Sequence, residues 1–326
     1  MHIVKNYKVP LFRKMIYTAD MEQISLNVSA EDNRKRLDKF LVEQFSSYSR
    51  SFLQSQIKKG KITLNGSRVI TGNKLKEGDE VKIILHDPKI ISLKPNKDIT
   101  IDVIFENDDL VVINKPSGIV VHPSQSTPEH TLVNGLISYY PNIISIGDDP
   151  NRPGIVHRLD KDASGIMVIA KSQKTFEHLK TQFQDREIKK KYTALVFGKI
   201  TPSYGKIDAP IGRSKSKPSR MSVKRSDEGK EALTYYKTTK EYNNYSLLEI
   251  ETKTGRTHQI RVHLLSIGYP IVGDSIYYVK KTRRKVKINR IFLHAQSIQF
   301  SDINGSLMKF KANLPNELKQ FLKQLT

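Results

Sequence analysis

The chain has no cysteine. Disulfides, thiolate metal ligands and a cysteine nucleophile are excluded, and the composition suits a reducing compartment. No apolar run approaches the ~18 residues needed to span a bilayer. Neither a G-x-x-x-x-G-K-[ST] phosphate loop nor a G-x-G-x-x-G turn is present, so no nucleotide cofactor is announced. There is no repeat period and no low-complexity tract. Acid is scarce: 33 Asp and Glu stand against 55 Lys and Arg, a formal net charge of +22 in 326 residues. That imbalance makes nucleic acid the leading partner and an anionic membrane the second, with a generic basic protein as the bland alternative. The length fits one large or two modest domains with an ample core.

Residues 1–21 carry Lys5, Lys8, Arg13 and Lys14 with no acid before Asp20. They are expected to be a flexible basic leader without a fold role; a transit peptide is the other reading. Residues 22–86 read as a small separate domain. Arg34-Lys35-Arg36 opens a helix with Leu37, Phe40, Leu41 and Phe45 on its apolar face. A second helix starts near Ser49 or Ser51, buries Phe52, Leu53 and Ile57, and stops at Gly60. Ile62-Thr63-Leu64, an Asn65-Gly66 turn and a strand from Val81 complete it. Arg50, Lys58 and Lys59 put cations on that second helix, where phosphate contacts are expected. Residues 87–100 read as a linker, with two prolines and little periodicity. The larger domain, 101–326, mixes many strands with few helices, an α+β composition. Two of its stretches are cationic without acid: 209–226, and the loop around Lys280 to Arg290, which includes Arg283 and Arg284.

The larger domain is organised around Ile155–Lys171. Gly165 to Ala170 is apolar and short enough for a buried strand. His157-Arg158-Leu159-Asp160-Lys161-Asp162, just before it, is dense in ionisable groups. Such density at the end of a buried strand is an ion-pair network, a catalytic site or a solvated loop. A metal site from His122, His157, His258, His263 and His294 finds no H-x-x-x-H spacing and no acidic cluster. A kinase catalytic loop is echoed by His157-Arg158-Leu159-Asp160-Lys161, but no Gly-rich loop precedes it and no D-F-G follows. The third constellation is Asp160, Arg261 and Tyr192. A carboxylate is a nucleophile that is already ionised at neutral pH. A guanidinium keeps it charged and oriented. A tyrosine offers a flat face to a base and a hydroxyl for proton handling. Spacing alone does not show that these three meet.

Ile155–Lys171, Lys191–Gly198 and Thr254–Leu264 resemble the successive motifs of the RluA family of RNA pseudouridine synthases. Val111–Gly118, Gly273-Asp274 and Leu293-His294-Ala295 match as well, in the family's order. The family pattern H-R-L-D-x-x-[TS]-[ST]-G is met except for Ala163 at its first small-polar position, a supporting place where the change is expected to be tolerated. The N-terminal domain resembles the S-four-type RNA-binding domain of ribosomal and RNA-modifying proteins. The resemblance implies a pseudouridine synthase domain on a mixed, mostly antiparallel sheet, working on large-subunit ribosomal RNA without cofactor or metal and as a monomer. It implies Asp160 as nucleophile, Tyr192 against the base and in proton transfer from C5, and Arg261 paired with Asp160. Whether Asp160 attacks C1′ or removes a sugar proton is left open by the residues. Arg158 is expected to enter the RNA stack, with His157, Arg256 and His258 as further RNA contacts. A bacterial cytoplasm is the expected location, or an organelle if the leader is a transit peptide. The alternatives are a relative acting on other rRNA uridines or on tRNA, and a non-catalytic rRNA-binding assembly factor.

Overall fold

The computed structural model describes residues 13–18, 21–45, 50–85, 93–124, 127–217, 220–279 and 288–325. The chain divides into two compact units, Met1–Ile90 and Ile91–Thr326.

In the first unit, strands β1 (Arg13–Thr18) and β2 (Met21–Asn27) precede helices α1 (Leu37–Gln44) and α2 (Arg50–Lys58). Strands β3 (Ile62–Leu64), β4 (Ser67–Arg68) and β5 (Glu80–Leu85) follow. The sheet order is β1-β2-β5-β3-β4. Leu37, Phe40, Leu41, Leu53 and Ile57 pack on Ile24, Ile62, Val81 and Ile83, so the helical spacing read from the sequence is the buried face. Asn65 and Gly66 both have positive φ, 49° and 77°, as the two-residue turn requires. Residues 13–18 differ from the expectation of an unstructured leader. They pair antiparallel with β2, from Arg13↔Leu26 to Thr18↔Met21, because Met-Ile-Tyr is a β-forming run beside an open sheet edge. Residues 1–12 lie outside the described residues.

The second unit begins earlier than expected. Ile99 is buried, Asn96 donates its backbone N–H to the Asn134 carbonyl (3.0 Å), and Asn134 Nδ2 donates to the Lys94 carbonyl (2.8 Å). The stretch read as linker is thus, from residue 93, part of this fold. Its apolar Leu93 and Ile99 are what a solvated linker would lack.

Strands β6 (Val103–Glu106) and β7 (Leu110–Lys115) lead to helix α3 (Leu132–Tyr139), with Thr131 and Asn134 forming a capping box. Strand β8 (Ser164–Ala170), helix α4 (Gln173–Gln184, capped by Ser172) and strand β9 (Lys189–Phe197) follow. Then come β10 (Tyr204–Asp208), the hairpin β11 (Ile211–Arg213) and β12 (Met221–Val223), β13 (Leu233–Tyr242) and β14 (Tyr245–Thr252). Helix α5 (Gln259–Ser266), strands β15 (Leu293–Ser301) and β16 (Leu307–Lys311) and helix α6 (Asn316–Lys323) complete the chain. A nine-stranded sheet runs β10-β13-β14-β9-β15-β8-β7-β6, with β16 also on β15. Its described pairings are antiparallel except β15 with β8.

Every residue of β8 is buried, the property of a strand covered on both faces. At its start Gly165 lies against β15 with φ 119°, and a Cβ there would fall 2.6 Å from the Ala295 nitrogen. Gly165→Ala is expected to destabilise the protein by about 3 kcal/mol, combining backbone strain and overpacking. Urea denaturation measures it; an unchanged midpoint would mean that β15 yields.

Candidate active site

The β8–β15–β9 order brings distant motifs together. Ala295 is in register with Gly165 on one side and Tyr192 on the other. Two strand spacings, roughly 10 Å, therefore separate Gly165 from Tyr192. Asp160 lies in the loop that enters β8, between Leu159 and Ala163, both buried. Ala163 packs with Leu195 and Ile260 in the apolar core, so the position that departs from the family pattern is a packing position.

The loop is held from below by the turn after β7. Lys115 is fully buried; its Nζ donates to the carbonyls of Pro116 (2.7 Å) and Lys161 (3.1 Å). Gly118 N–H donates to the same Lys161 carbonyl (2.9 Å), and Ser117 Oγ donates to the Asp162 carbonyl. Burial pushes the Lys115 ammonium down to about 7, with Arg290 adding to it and Asp162 and Asp160 opposing. The turn expected over Asn114–Gly118 begins later, since Asn114 and Lys115 end β7 and only Ser117 and Gly118 turn; the buried ammonium under the loop left no mark in the sequence.

Asp160 Oδ2 accepts from Arg261 Nη1 at 3.2 Å, and His258 Nε2 stands 4.0 Å from Oδ1. Arg261 is anchored from behind by Asp274. Its Nε and Nη2 donate to the two Asp274 oxygens at 2.7 and 2.8 Å. Asp274 Oδ1 also accepts the backbone N–H groups of Ile276 and Tyr277, and the guanidinium lies 5.0 Å from the Tyr277 ring centre. Burial works against the Arg261 charge, but Asp274 and then Asp160 outweigh it and raise its pKa. The Arg261 and Asp274 side chains are 2% and 0% exposed, whereas Asp160 keeps 17%. The accessible carboxylate is the one at the cavity. Sequence reasoning gave Asp274 no role although Gly273-Asp274 was singled out, and it missed Tyr277.

Asp160, Arg261, Tyr192, Arg158, His258 and Arg256 line one cavity of about 550 Å³. The Tyr192 hydroxyl is pushed up to about 12, chiefly by burial and further by Asp160, with a hydrogen bond to Thr252 opposing. It is a neutral phenol at physiological pH. His258 holds a left-handed backbone (φ 57°) at the start of α5, and its Nδ1 is 2.9 Å from the Tyr277 hydroxyl. Arg158 Nη1 is 3.4 Å from His122 Nε2 and otherwise faces the cavity.

His157 lines the cavity but works inward. Its Nε2 accepts the Val168 N–H (3.0 Å), its ring stacks on Phe183 (4.8 Å), and burial pushes its pKa down to about 3. The ring expected as an RNA contact thus spends its Nε2 on the Val168 N–H and its face on Phe183. His294, between Ser164 Oγ (2.9 Å) and the Ala312 carbonyl (3.3 Å), is pushed down to about 4, again mainly by burial. Both rings are neutral when folded and titrate near 6.5 when unfolded. The unfolded chain therefore binds more protons below pH 6.5, and their stability contribution is lost as pH falls towards 4 and 3. Stability from urea denaturation is expected to drop steeply from pH 7 to 5, by about 2 kcal/mol per histidine; His157→Gln should lose about half of that pH dependence, and an undiminished slope would remove that ring from the account.

Lys58 and Lys59 are exposed at the end of α2, and Arg50 opens it. Arg283 and Arg284 lie outside the described residues. Arg290, at the end of the second cationic stretch, is nearly buried. It donates to Ser164 Oγ and to Glu317 Oε1, both at 2.6 Å, and its Nε reaches the Ile291 carbonyl at 3.4 Å. The cavity also carries Lys190 and Arg186, from the basic run after α4.

The cavity thus combines a carboxylate on a buried guanidinium, a neutral phenol in its wall and cations at its edge. Comparison with known proteins gives the class. The family model described as RNA pseudouridylate synthase matches residues 109–266, and that of the S4 domain matches 35–81. The RNA pseudouridine synthase YlyB of Bacillus subtilis is 37% identical, covering 94% of this chain and 99% of its own. The ribosomal large subunit pseudouridine synthase D of Yersinia pestis is 36% identical over 94% and 96%. Among solved structures, human RNA pseudouridylate synthase domain containing 4 matches with a TM-score of 0.54 and 25% identity, over 69% of this chain and 92% of that one. The chain belongs to the RNA pseudouridine synthase family. It is an RNA uridine isomerase with an S4 domain ahead of its catalytic domain, similar over nearly its whole length to the D-type large-subunit enzymes.

Proposed function

We propose that the chain isomerises specific uridines of large-subunit ribosomal RNA in a bacterial cytoplasm, with Asp160 as the reacting carboxylate. The observation that carries this reading is the Asp160–Arg261 contact inside a cavity walled by Tyr192. A uridine must leave its stack to reach that cavity, at a few kcal/mol, least in a loop. Arg158 is the side chain suited to fill the gap. Asp160 then acts at the sugar, by attack on C1′ or by removal of a sugar proton. The N1–C1′ bond breaks, the uracil turns against the Tyr192 face, and C5 joins C1′. The proton at C5 must finally leave. Tyr192, a neutral phenol whose hydroxyl is pushed up to about 12, takes that proton only while handing its own hydroxyl proton to solvent. N1, freed when its bond to C1′ breaks, takes up a proton from solvent in place of the one lost at C5, so the composition of the uridine is unchanged and no electron is gained or lost.

The substrate reading rests on the similarity to the large-subunit enzymes and on the net charge of +22. Pseudouridine mapping of total RNA, by carbodiimide labelling and primer extension, tests it in cells with and without the gene. Loss of signal in large-subunit rRNA, restored by wild type and not by Asp160→Asn, is the expected result. Loss confined to tRNA would overturn the rRNA assignment.

A further inference from the structure

One cation at the cavity rim already holds a carboxylate in the geometry it would offer a phosphate. Arg186, just beyond α4, and Arg256, just before α5, both line the Asp160 cavity. Glu231, in the segment leading into β13, contacts both. Its carboxylate accepts two parallel bonds from Arg186, Nη1–Oε1 at 2.9 Å and Nη2–Oε2 at 2.7 Å. Its carbonyl accepts from Arg256 Nε at 2.9 Å. The Arg186–Glu231 pair joins two chain segments that the sheet does not pair directly.

Stability is a poor account of this contact. The two side chains are 42% and 57% exposed, and pairs of that kind contribute little. Yet Arg186 is held with φ 63°, a left-handed backbone that costs a non-glycine residue roughly 1 kcal/mol or more. Planar bidentate donation is equally suited to a carboxylate and to a phosphodiester. Lys190, on β9, lines the same cavity and lies 5.4 Å from the Phe183 ring centre. A phosphate taking the place of the Glu231 carboxylate would stay bonded to Arg186 beside the cavity where the base must enter.

We infer that Glu231 is an internal stand-in for an RNA phosphate, occupying Arg186 until a phosphodiester flanking the target uridine displaces it. This rests on the reading of the cavity as a uridine site. The device lowers affinity for any polyanion and leaves the site selective, since only an RNA that also fills the cavity compensates for the broken ion pair.

Fluorescence anisotropy with a fluorescein-labelled stem–loop RNA carrying loop uridines tests this, over a series of salt concentrations. E231Q is expected to lower the dissociation constant about 3–10-fold at low salt and to steepen the dependence of log K on log salt by up to about one unit. R186Q is expected to weaken binding, and in the double variant the gain from E231Q should vanish. Thermal melts of each variant keep loss of folding apart from loss of binding. An E231Q constant at or above wild type overturns the inference, as does a gain that persists without Arg186, which would be a general charge effect. Wild-type protein that binds and isomerises RNA while E231Q changes nothing sinks the stand-in alone. Wild-type protein that does neither sinks the uridine-site reading with it.

Discussion

Asp160→Asn is expected to reduce isomerisation by at least ~10³-fold while the RNA dissociation constant stays within a few-fold of wild type. The amide keeps the shape of the carboxylate and can still accept from Arg261, whose other bonds run to Asp274. What is lost is the anion, the one group in the trio able to attack C1′ or take a sugar proton. The cationic rim that holds the backbone is untouched. Release of tritium from RNA labelled at uridine C5 reports turnover directly, because C5 must surrender its hydrogen. Turnover near wild type would remove Asp160 from the chemistry.

Asp274→Ala is expected to be nearly as damaging by a different route. It strips two of the three carboxylate bonds from a buried guanidinium and leaves two backbone N–H groups without their acceptor. Breaking a buried pair from one side costs about 3–5 kcal/mol of stability. Arg261, left with Asp160 as its partner carboxylate, then settles towards it and draws the reacting oxygens out of line. A fall in kcat of about 10²-fold is expected, with KM little changed, since misplacement by about 1 Å carries that penalty and the RNA contacts lie elsewhere. Asp274→Asn, which keeps one acceptor, should recover part of the stability. A folded Asp274→Ala protein with full kcat would show that Arg261 does not depend on Asp274 for its orientation.

Local pattern made much of the fold legible. Leu37, Phe40 and Leu41 fall on the buried face of α1, Phe45 is buried just beyond its end, and the Asn65-Gly66 turn sits where the dipeptide puts it. The apolar run before Lys171 is the fully buried β8. These are signals carried within a few residues. Contacts between distant residues left no such mark. Asp160 and Arg261 are 101 residues apart, and no periodicity predicts their 3.2 Å bond. Lys115 looked like a turn residue because burial of an ammonium is decided by what closes over it. His157 and Arg290 looked like RNA contacts because charge type is visible in a sequence and burial is not. Residues 93–100 looked like a linker because Pro95, Lys94 and Lys97 masked Leu93 and Ile99, each of which docks singly.

The placing of β15 between β8 and β9 has a consequence for the order in which the protein assembles. Asp160 is delivered by β8 and Tyr192 by β9, and Ala295 is the residue in register with both strands. The two halves of the site lie within 32 residues of each other in the chain, yet the strand that spaces them is synthesised about a hundred residues later. A ribosome-bound chain that has emerged only as far as β14 holds every proposed reacting group except Arg261 and still has no site. Such long-range closure is slow compared with local hairpins. On the proposed site the enzyme is expected to be silent until its last strands dock, and truncation within β15 should abolish catalysis.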